Sequence, residues 1–102
     1  MNKKQLDKII EMESILNEMN GMLEDVNDAF EKWKSLRPKI KKLLKYYESP
    51  AWFRDVDASN SGEIPENISH GVLSEDAAWN AFVFEYGLAK EFQKLTKQVL
   101  KR

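Results

Sequence analysis

Residues 9–33 read IIEMESILNEMNGMLEDVNDAFEKW, and the spacing of their apolar residues decides the fold. Apolar side chains recur at alternating steps of three and four: Ile9, Met12, Leu16, Met19, Leu23, Val26, Phe30 and Trp33. A repeat of about 3.5 residues places them on one face of a helix that packs along its length on another helix. After one shortened step beside Pro38 the stripe continues to Tyr47. The pattern therefore predicts one helix over residues 3–47 with a kink at Pro38.

The dipeptide Asn20-Gly21 offers the alternative to a continuous helix. Glycine costs about 1 kcal/mol relative to alanine inside a helix, and Asn-Gly is a common turn sequence. A turn at this point would give a monomeric three-helix bundle. The apolar phase runs through the dipeptide without a reset, which a turn would have no reason to preserve. We therefore favour the continuous helix.

The sequence changes character after Glu48, and the connector over residues 48–73 collects the loop-forming residues Pro50, Gly62, Pro65 and Gly71. Ser49-Pro50 is typical of a helix start, with the Ser49 hydroxyl as N-cap and proline at the first helical position. We expect a short helix over residues 50–56, ending by Asp57. Irregular backbone is expected over residues 58–72.

Ser74 is predicted to cap the last helix, with Glu75 and Asp76 at the positive end of its dipole. The apolar seam of this helix reads Ala81, Phe84, Leu88, Phe92, Leu95 and Val99, and the helix is predicted over residues 74–101. The predicted fold is all-α, with the kinked first helix packed antiparallel on the last as a helical hairpin or coiled coil. Residues 1–102 are expected to form one domain.

Charge is distributed in four blocks that supply a register for this hairpin. The net charge is −5 over residues 1–31, +7 over 32–45, −6 over 48–76 and +3 over 77–102. With Tyr47 placed near Ala77, oppositely charged side chains of the two long helices face each other. The predicted partners of Lys90, Lys94, Lys97 and Lys101 are Glu31, Asp28, Asp25 and Glu24. Each exposed pair contributes about 0.2–1 kcal/mol, so the pairs select an orientation and add little stability.

The composition excludes several classes of protein. The chain has no cysteine and one histidine, which rules out disulfides, thiol chemistry and zinc sites built on cysteine. No apolar run approaches the length of a membrane span, and the start, Met1 to Leu6, lacks the apolar core of a signal peptide. We expect a soluble, cytoplasmic protein with no membrane partner.

A basic run is the source of the competing functional hypothesis. It consists of Lys32, Lys34, Arg37, Lys39, Lys41, Lys42 and Lys45. Such a helix face can follow a phosphate backbone, so a nucleic-acid-binding protein is the alternative function. The acidic connector balances this charge, and base-stacking aromatic residues other than Trp33 are missing between the lysines. We do not expect nucleic acid to be the partner.

Two patterns resemble reactive sites without completing them. Asp57, Ser59, Ser61 and Gly62 occupy positions of a calcium-binding EF-hand loop, but its twelfth position is Ile68 where a bidentate Glu is needed. The residue types of a hydrolase triad occur in Ser69, His70, Ser74 and Asp76, which lie too close in sequence to point at one another. We predict no catalytic residue, no metal ligand and no cofactor, and therefore a protein that is not an enzyme.

Aromatic residues crowd the connector and its flanks: Tyr46, Tyr47, Trp52, Phe53, Trp79, Phe82, Phe84 and Tyr86. We favour a compact cap that seals the end of the hairpin. A partner-binding patch is the alternative, because Trp and Tyr dominate interface hot spots.

Three motifs here resemble a small bacterial family, domain of unknown function 4298. They are Tyr46-Tyr47 with Ser49, Trp52 and Asp55, then Gly62-Glu63-Ile64-Pro65, then Gly71-Val72-Leu73-Ser74-Glu75-Asp76. The resemblance implies a small bacterial cytoplasmic protein; it brings no activity or cofactor, and it draws attention to the connector. The candidate interaction or structural residues are Tyr46, Tyr47, Trp52, Asp55, Pro65, Gly71, Ser74, Glu75 and Asp76.

The predicted helix lengths indicate what the protein does. A helix over residues 3–47 is about 68 Å long, whereas one over residues 74–101 covers about 42 Å. The seam of residues 3–20 would be left in water, and dimerisation is the simplest way to cover it. We therefore predict a non-enzymatic helical interaction module that forms a homodimer; an unknown protein partner is also compatible with this surface.

Overall fold

The computed structural model describes residues 1–101, which form three α-helices and one short 3₁₀ turn. Helix α1 is Lys3–Tyr47, α2 is Pro50–Asn60, the 3₁₀ turn is Gly71–Leu73 and α3 is Glu75–Lys101. No strand occurs within residues 1–101. The predicted all-α class, with two long helices joined through a connector that contains a short one, is confirmed.

The chain divides into two compact units, Met1–Lys41 and Lys42–Arg102. In the first unit the apolar stripe of α1 is half exposed, at 40% to 51% for its members from Ile9 to Phe30. The second unit contains the two buried apolar residues of the described chain, Trp52 and Ala78, which are 6% and 5% exposed. The small core therefore lies in the second unit.

Helix α1 has the predicted bounds, and it runs through Asn20-Gly21 without a break. The alternative three-helix bundle, which needed a turn there, is therefore wrong. The side chain of Asn2 caps the helix, since its Oδ1 accepts a hydrogen bond from the Gln5 N–H at 2.7 Å. Pro38 lies inside the helix, and the kink beside it stays a prediction.

Helix α2 is longer than predicted, because it continues past Asp57 to Asn60. Residues 58–60 were expected to be irregular, since serine and asparagine favour turns. The 3₁₀ turn at residues 71–73 was not predicted either. Nothing in residues 58–60 breaks the hydrogen-bond ladder, however. The helix ends where Gly62 adopts a left-handed conformation with φ of 74°.

The end of α2 is a Schellman motif, in which backbone N–H groups beyond the helix pair with its last carbonyl groups. The N–H of Gly62 donates to the Ser59 carbonyl at 3.1 Å, and the N–H of Glu63 donates to the Ala58 carbonyl at 3.0 Å. Only glycine adopts the required left-handed backbone at no steric cost. Gly62 thus fixes the exit direction of the chain from α2.

The start of α2 also differs from the expectation in one respect. Ser49 stands at the N-cap with proline behind it, as predicted, but its side chain makes no capping bond. The Ser49 hydroxyl donates instead to the Tyr46 carbonyl at 2.6 Å. Carbonyl groups at a helix C-terminus lack partners within the helix. The Trp52 N–H, which a side-chain cap could bind, donates instead to the Ser49 backbone carbonyl at 3.2 Å. The hydroxyl therefore closes α1.

At the start of α3 the prediction is confirmed, because the Ser74 Oγ accepts a hydrogen bond from the Ala77 N–H at 3.0 Å. Glu75 and Asp76 occupy the first helical turn, where the dipole favours negative charge. The antiparallel packing of α3 along α1, with the lysine–carboxylate register described above, stays a prediction. Self-association through the apolar face of α1, proposed below, is an alternative to it, because both would cover the same side chains.

The conformation of Gly62 gives a direct test. Replacing Gly62 by Ala should lower the free energy of unfolding by about 1 kcal/mol, because an alanine Cβ opposes the left-handed backbone. Gly71→Ala is the matched control: a Cβ there meets nothing within 4 Å, and the backbone is not left-handed. Urea denaturation followed by circular dichroism measures both. Equal effects of the two substitutions would contradict the assignment.

Candidate functional site

Trp52 is the centre of the connector. It lies in the first turn of α2, and its indole Nε1 donates a hydrogen bond to the Val72 carbonyl at 3.0 Å. Val72 is the middle residue of the 3₁₀ turn. A buried indole N–H needs a partner, and this bond supplies one while it fastens the 3₁₀ turn to α2. Trp52 therefore has a structural role, because it links α2 to the 3₁₀ turn.

Tyr47, the last residue of α1, extends this link to α3. Its ring meets Trp52 edge to face, with the centroids 5.1 Å apart, and it lies 6.0 Å from the ring of Phe82. The Tyr47 hydroxyl donates a long hydrogen bond of 3.4 Å to the Glu75 carbonyl. Aromatic pairs in this geometry contribute about 0.5–1.5 kcal/mol beyond their buried area. One ring thus connects the end of α1, the start of α2 and the start of α3.

Tyr46 and Asp55 form a second link, between α1 and α2. The Tyr46 hydroxyl donates to Oδ2 of Asp55 at 2.5 Å, a short bond of the kind that a charged acceptor makes. This bond to the carboxylate raises the pKa of Tyr46, and desolvation and the negative charge of Asp55 act in the same direction. Because Asp55 is exposed and Tyr46 is only partly buried, we expect the pair to orient α2 more than to stabilise it.

Five of the nine singled-out residues are thus in direct contact in two sets: Tyr46 with Asp55, and Tyr47 with Trp52 and with the backbone of Glu75. Ser74 acts one residue earlier, as the cap of α3. The predicted approach of the Glu75 and Asp76 carboxylates to the basic end of α1 stays a prediction.

Pro65 and Gly71 have local roles. The Pro65 carbonyl accepts a hydrogen bond from the Ile68 N–H at 3.0 Å, which closes a turn in the connector. The Gly71 carbonyl accepts the Ser74 N–H at 3.0 Å, closing the 3₁₀ turn. Space is open where a Cβ would stand on Gly71. Packing around the residue therefore does not require glycine there.

One contact was not foreseen from the sequence. Ser59 and His70 lie 3.1 Å apart, measured from the serine Oγ to the imidazole Nδ1, at the edge of an open depression of about 580 Å³. The depression is lined by Ser59, Asn60, Ile68, Ser69, His70, Gly71, Leu73 and Ser74. This lining holds no carboxylate that could orient the imidazole as a triad needs. Nothing in the sequence between Ser59 and His70 indicates that these two side chains meet.

The two incomplete sequence patterns resolve into other structures. Asp57 and Ser59 belong to α2 and Gly62 to its Schellman motif, so these residues do not form a calcium-binding loop. In the triad pattern, Ser74 is occupied as a cap and His70 faces Ser59. In residues 1–101 no three histidine or carboxylate side chains come together as metal ligands would.

The basic run lies on α1, and one of its lysines has partners within the helix. Lys34 forms an ion pair with Glu31 at 3.0 Å, and its ammonium group stands 5.0 Å from the centre of the Phe30 ring. Both partners lie one turn or less away on the same helix, as residues three or four apart do. This part of the basic charge is therefore compensated locally.

The aromatic residues divide between core and surface. Tyr47, Trp52 and Phe82 form the shielded group, and Phe53 packs its ring 5.2 Å from Trp52 while it stays 63% exposed. The other aromatic residues of α3 are exposed: Trp79, Phe84, Tyr86 and Phe92. The predicted cap is therefore smaller than expected, and the other rings add to the apolar surface.

The geometry defines an all-helical protein whose connector is held by an aromatic link. The family model for a domain of unknown function (DUF4298) matches residues 9–95, and the chain belongs to this family. Comparison with curated proteins and with solved structures gives no match. None of the described helices has the length and apolarity needed to cross a membrane.

The burial of Trp52 predicts a large effect on stability. Trp52→Ala should lower the free energy of unfolding by about 3–5 kcal/mol, since it removes a buried ring and leaves the Val72 carbonyl without its donor. Trp79→Ala, which removes a ring that is 58% exposed, should change it by less than about 1 kcal/mol. Thermal melts of the two variants provide the comparison. A Trp52→Ala melt that matches the wild type would overturn the structural role.

The Tyr46–Asp55 bond predicts a dependence on alkaline pH. A tyrosine whose folded pKa exceeds its unfolded value of about 10 contributes stability that is complete below that value and lost as the pH rises through the folded pKa. Asp55→Asn should lower the pKa of Tyr46, because the carboxylate acceptor and its charge are gone. Asp57→Asn, in the same helix, should leave it unchanged. Ultraviolet titration of tyrosinate measures the shift; identical curves for both variants would rule the bond out.

Proposed function

We propose that this protein is a non-enzymatic helical interaction module, and that it associates with itself through the apolar face of α1. This face, the α1 stripe, consists of Ile9, Met12, Leu16, Met19, Leu23, Val26, Phe30 and Trp33. The observation that carries the proposal is the exposure of the stripe. From Ile9 to Phe30 its side chains are between 40% and 51% exposed.

The extent of the stripe supports an interaction surface. It is continuous over seven turns of helix, and Ile15 and Met22 widen it, each 50% exposed. Monomeric proteins rarely leave a contiguous apolar patch of this kind in water. Fully burying a Leu, Ile or Met side chain contributes about 1.5–3 kcal/mol, so covering even the exposed half of each would be strongly favourable.

The helix itself supports the same proposal, because its sequence is a weak helix former. Residues 14–28 contain Ser14, Asn17, Asn20, Gly21 and Asn27, all of which lower helix propensity. Most helices of proteins are stabilised by packing of an amphipathic face and not by propensity. A partner along the α1 stripe would supply that packing.

A non-enzymatic role is supported by the chemistry of the connector. In and beside the connector, the Trp52 and Ser74 side chains are hydrogen-bonded to the backbone, and the Tyr46 hydroxyl is bonded to Asp55. The Ser59–His70 pair stands in an open depression, where water would surround any reacting group. Both features favour a structural connector that supports an interaction helix.

Self-association is tested by the molar mass in solution. Multi-angle light scattering should give the mass of two chains for the wild type. Leu16→Glu should weaken association at least tenfold, because each copy would bury a charge in the seam. Ile10→Glu is the matched control: Ile10 is also exposed, at 60%, but lies off the stripe. The mass of a single chain for the wild type at micromolar concentration would refute self-association.

A further inference from the structure

We infer that two copies of α1 pair antiparallel over residues 1–41. In the register that we infer, the numbers of two facing residues add up to 42. The inference rests on the self-association proposed above and adds its orientation and register. Three features of the first unit support it: the residues that flank the stripe, the sizes of the side chains along it, and a groove on the surface of α1.

The residues beside the α1 stripe differ on its two sides. Between residues 13 and 29, the flanking residues on one side are Ile15, Met22 and Ala29, which are apolar, and those on the other side are Glu13, Asn20 and Asn27, which are polar. Nearer the start of the helix, Lys8 and Leu6 reverse this pattern. Parallel helices place the first side of one copy against the second side of the other, so that each apolar side chain meets a polar one. Antiparallel helices place like sides together. Antiparallel pairing thus forms one apolar edge and one polar edge.

A single pair of charges favours the opposite orientation. Lys8 and Glu13 would face each other across a parallel pair, one on each flank of the seam. An exposed ion pair contributes about 0.2–1 kcal/mol, whereas burying an Ile or Met side chain contributes about 1.5–3 kcal/mol. Joining Ile15 and Met22 into one apolar edge therefore outweighs the ion pairs.

The sizes of the stripe residues select the register. The large rings, Phe30 and Trp33, stand at one end of the stripe, and Ile9 and Met12 stand at the other. A sum of 42 sets Phe30 opposite Met12 and Trp33 opposite Ile9, so each aromatic ring faces a smaller side chain. Parallel pairing would set each ring against the same ring of the second copy. The layers at the other end would then contain smaller side chains alone, at a cost in packing.

The surface of α1 has a depression at the place that this register requires. A groove of about 420 Å³ is lined by Lys8, Ile9, Met12, Glu13 and Leu16. Four of these residues, Ile9, Met12, Glu13 and Leu16, have the spacing that forms one hole for a side chain of a facing helix. The register directs Phe30 of the second copy to this hole, where a methionine sulfur beside an aromatic ring adds a favourable contact.

The register also fixes the symmetry of the pair. A sum of 42 sets Met1 of one copy opposite Lys41 of the other. The pairing therefore covers the whole unit in both copies and has its two-fold axis at the level of Gly21. Both copies present the same face, as a closed dimer requires.

The chain has no cysteine, so introduced cysteines report the orientation directly. A mixture of Met12→Cys and Phe30→Cys chains should form mixed disulfides under mild oxidation, and neither variant should cross-link alone. The pair Leu16→Cys and Val26→Cys repeats the test at a second layer, in case one substitution weakens association. Light scattering of the reduced variants shows whether they still associate.

The other outcomes are distinct. Cross-linking of Met12→Cys alone would establish parallel pairing and overturn the inference, while self-association stands. Cross-linking of Met12→Cys with Leu23→Cys, a sum of 35, would overturn the register. If the variants have the mass of two chains when reduced but none of them forms a disulfide on oxidation, the pairing of α1 is overturned altogether. The mass of one chain for the wild type would refute self-association and the inference together.

Discussion

The hydrogen bond from the Trp52 indole to the Val72 carbonyl is the contact on which the second unit depends. The connector between α2 and α3 has little side-chain packing of its own, and its 3₁₀ turn is held by this bond. Tyr47 packs on the same indole and reaches Glu75, so three helix ends meet at one ring. With so few buried residues, most of the stability of this unit must come from a small group of aromatic contacts.

The first unit obeys a different constraint, because its helix buries nothing of its own. Its apolar face is as regular as that of any packed helix, yet the side chains stay half in water. A helix with Asn17, Asn20 and Gly21 near its middle gains little from propensity. The two units thus differ in the source of their stability: an aromatic link inside the chain for one, and a surface that a partner would cover for the other.

The sequence predicted the elements that depend on local pattern and missed those that depend on contacts. The bounds of α1 followed from an apolar stripe that continues to Tyr47 after one shortened step, and the role of Ser74 from the chemistry of a cap. The end of α2 was misplaced because serine and asparagine suit helix ends and turns alike, and only the backbone of Gly62 decides between them. The Tyr46–Asp55 contact depends on how α1 and α2 meet, and the Ser59–His70 contact on how the connector returns to α2; no spacing encodes either.

The charges of α1 show why its apolar stripe need not lead to indiscriminate aggregation. Between residues 9 and 31 the chain carries seven acidic groups and no basic one. Apart from Glu13 these groups lie away from the stripe, so they surround it with negative charge on the remaining circumference of the helix. Two such helices repel each other in most orientations, since like charges then come close in space. Contact between the stripes keeps the acidic faces outward and apart, so the same charges that oppose random collapse favour one ordered pairing.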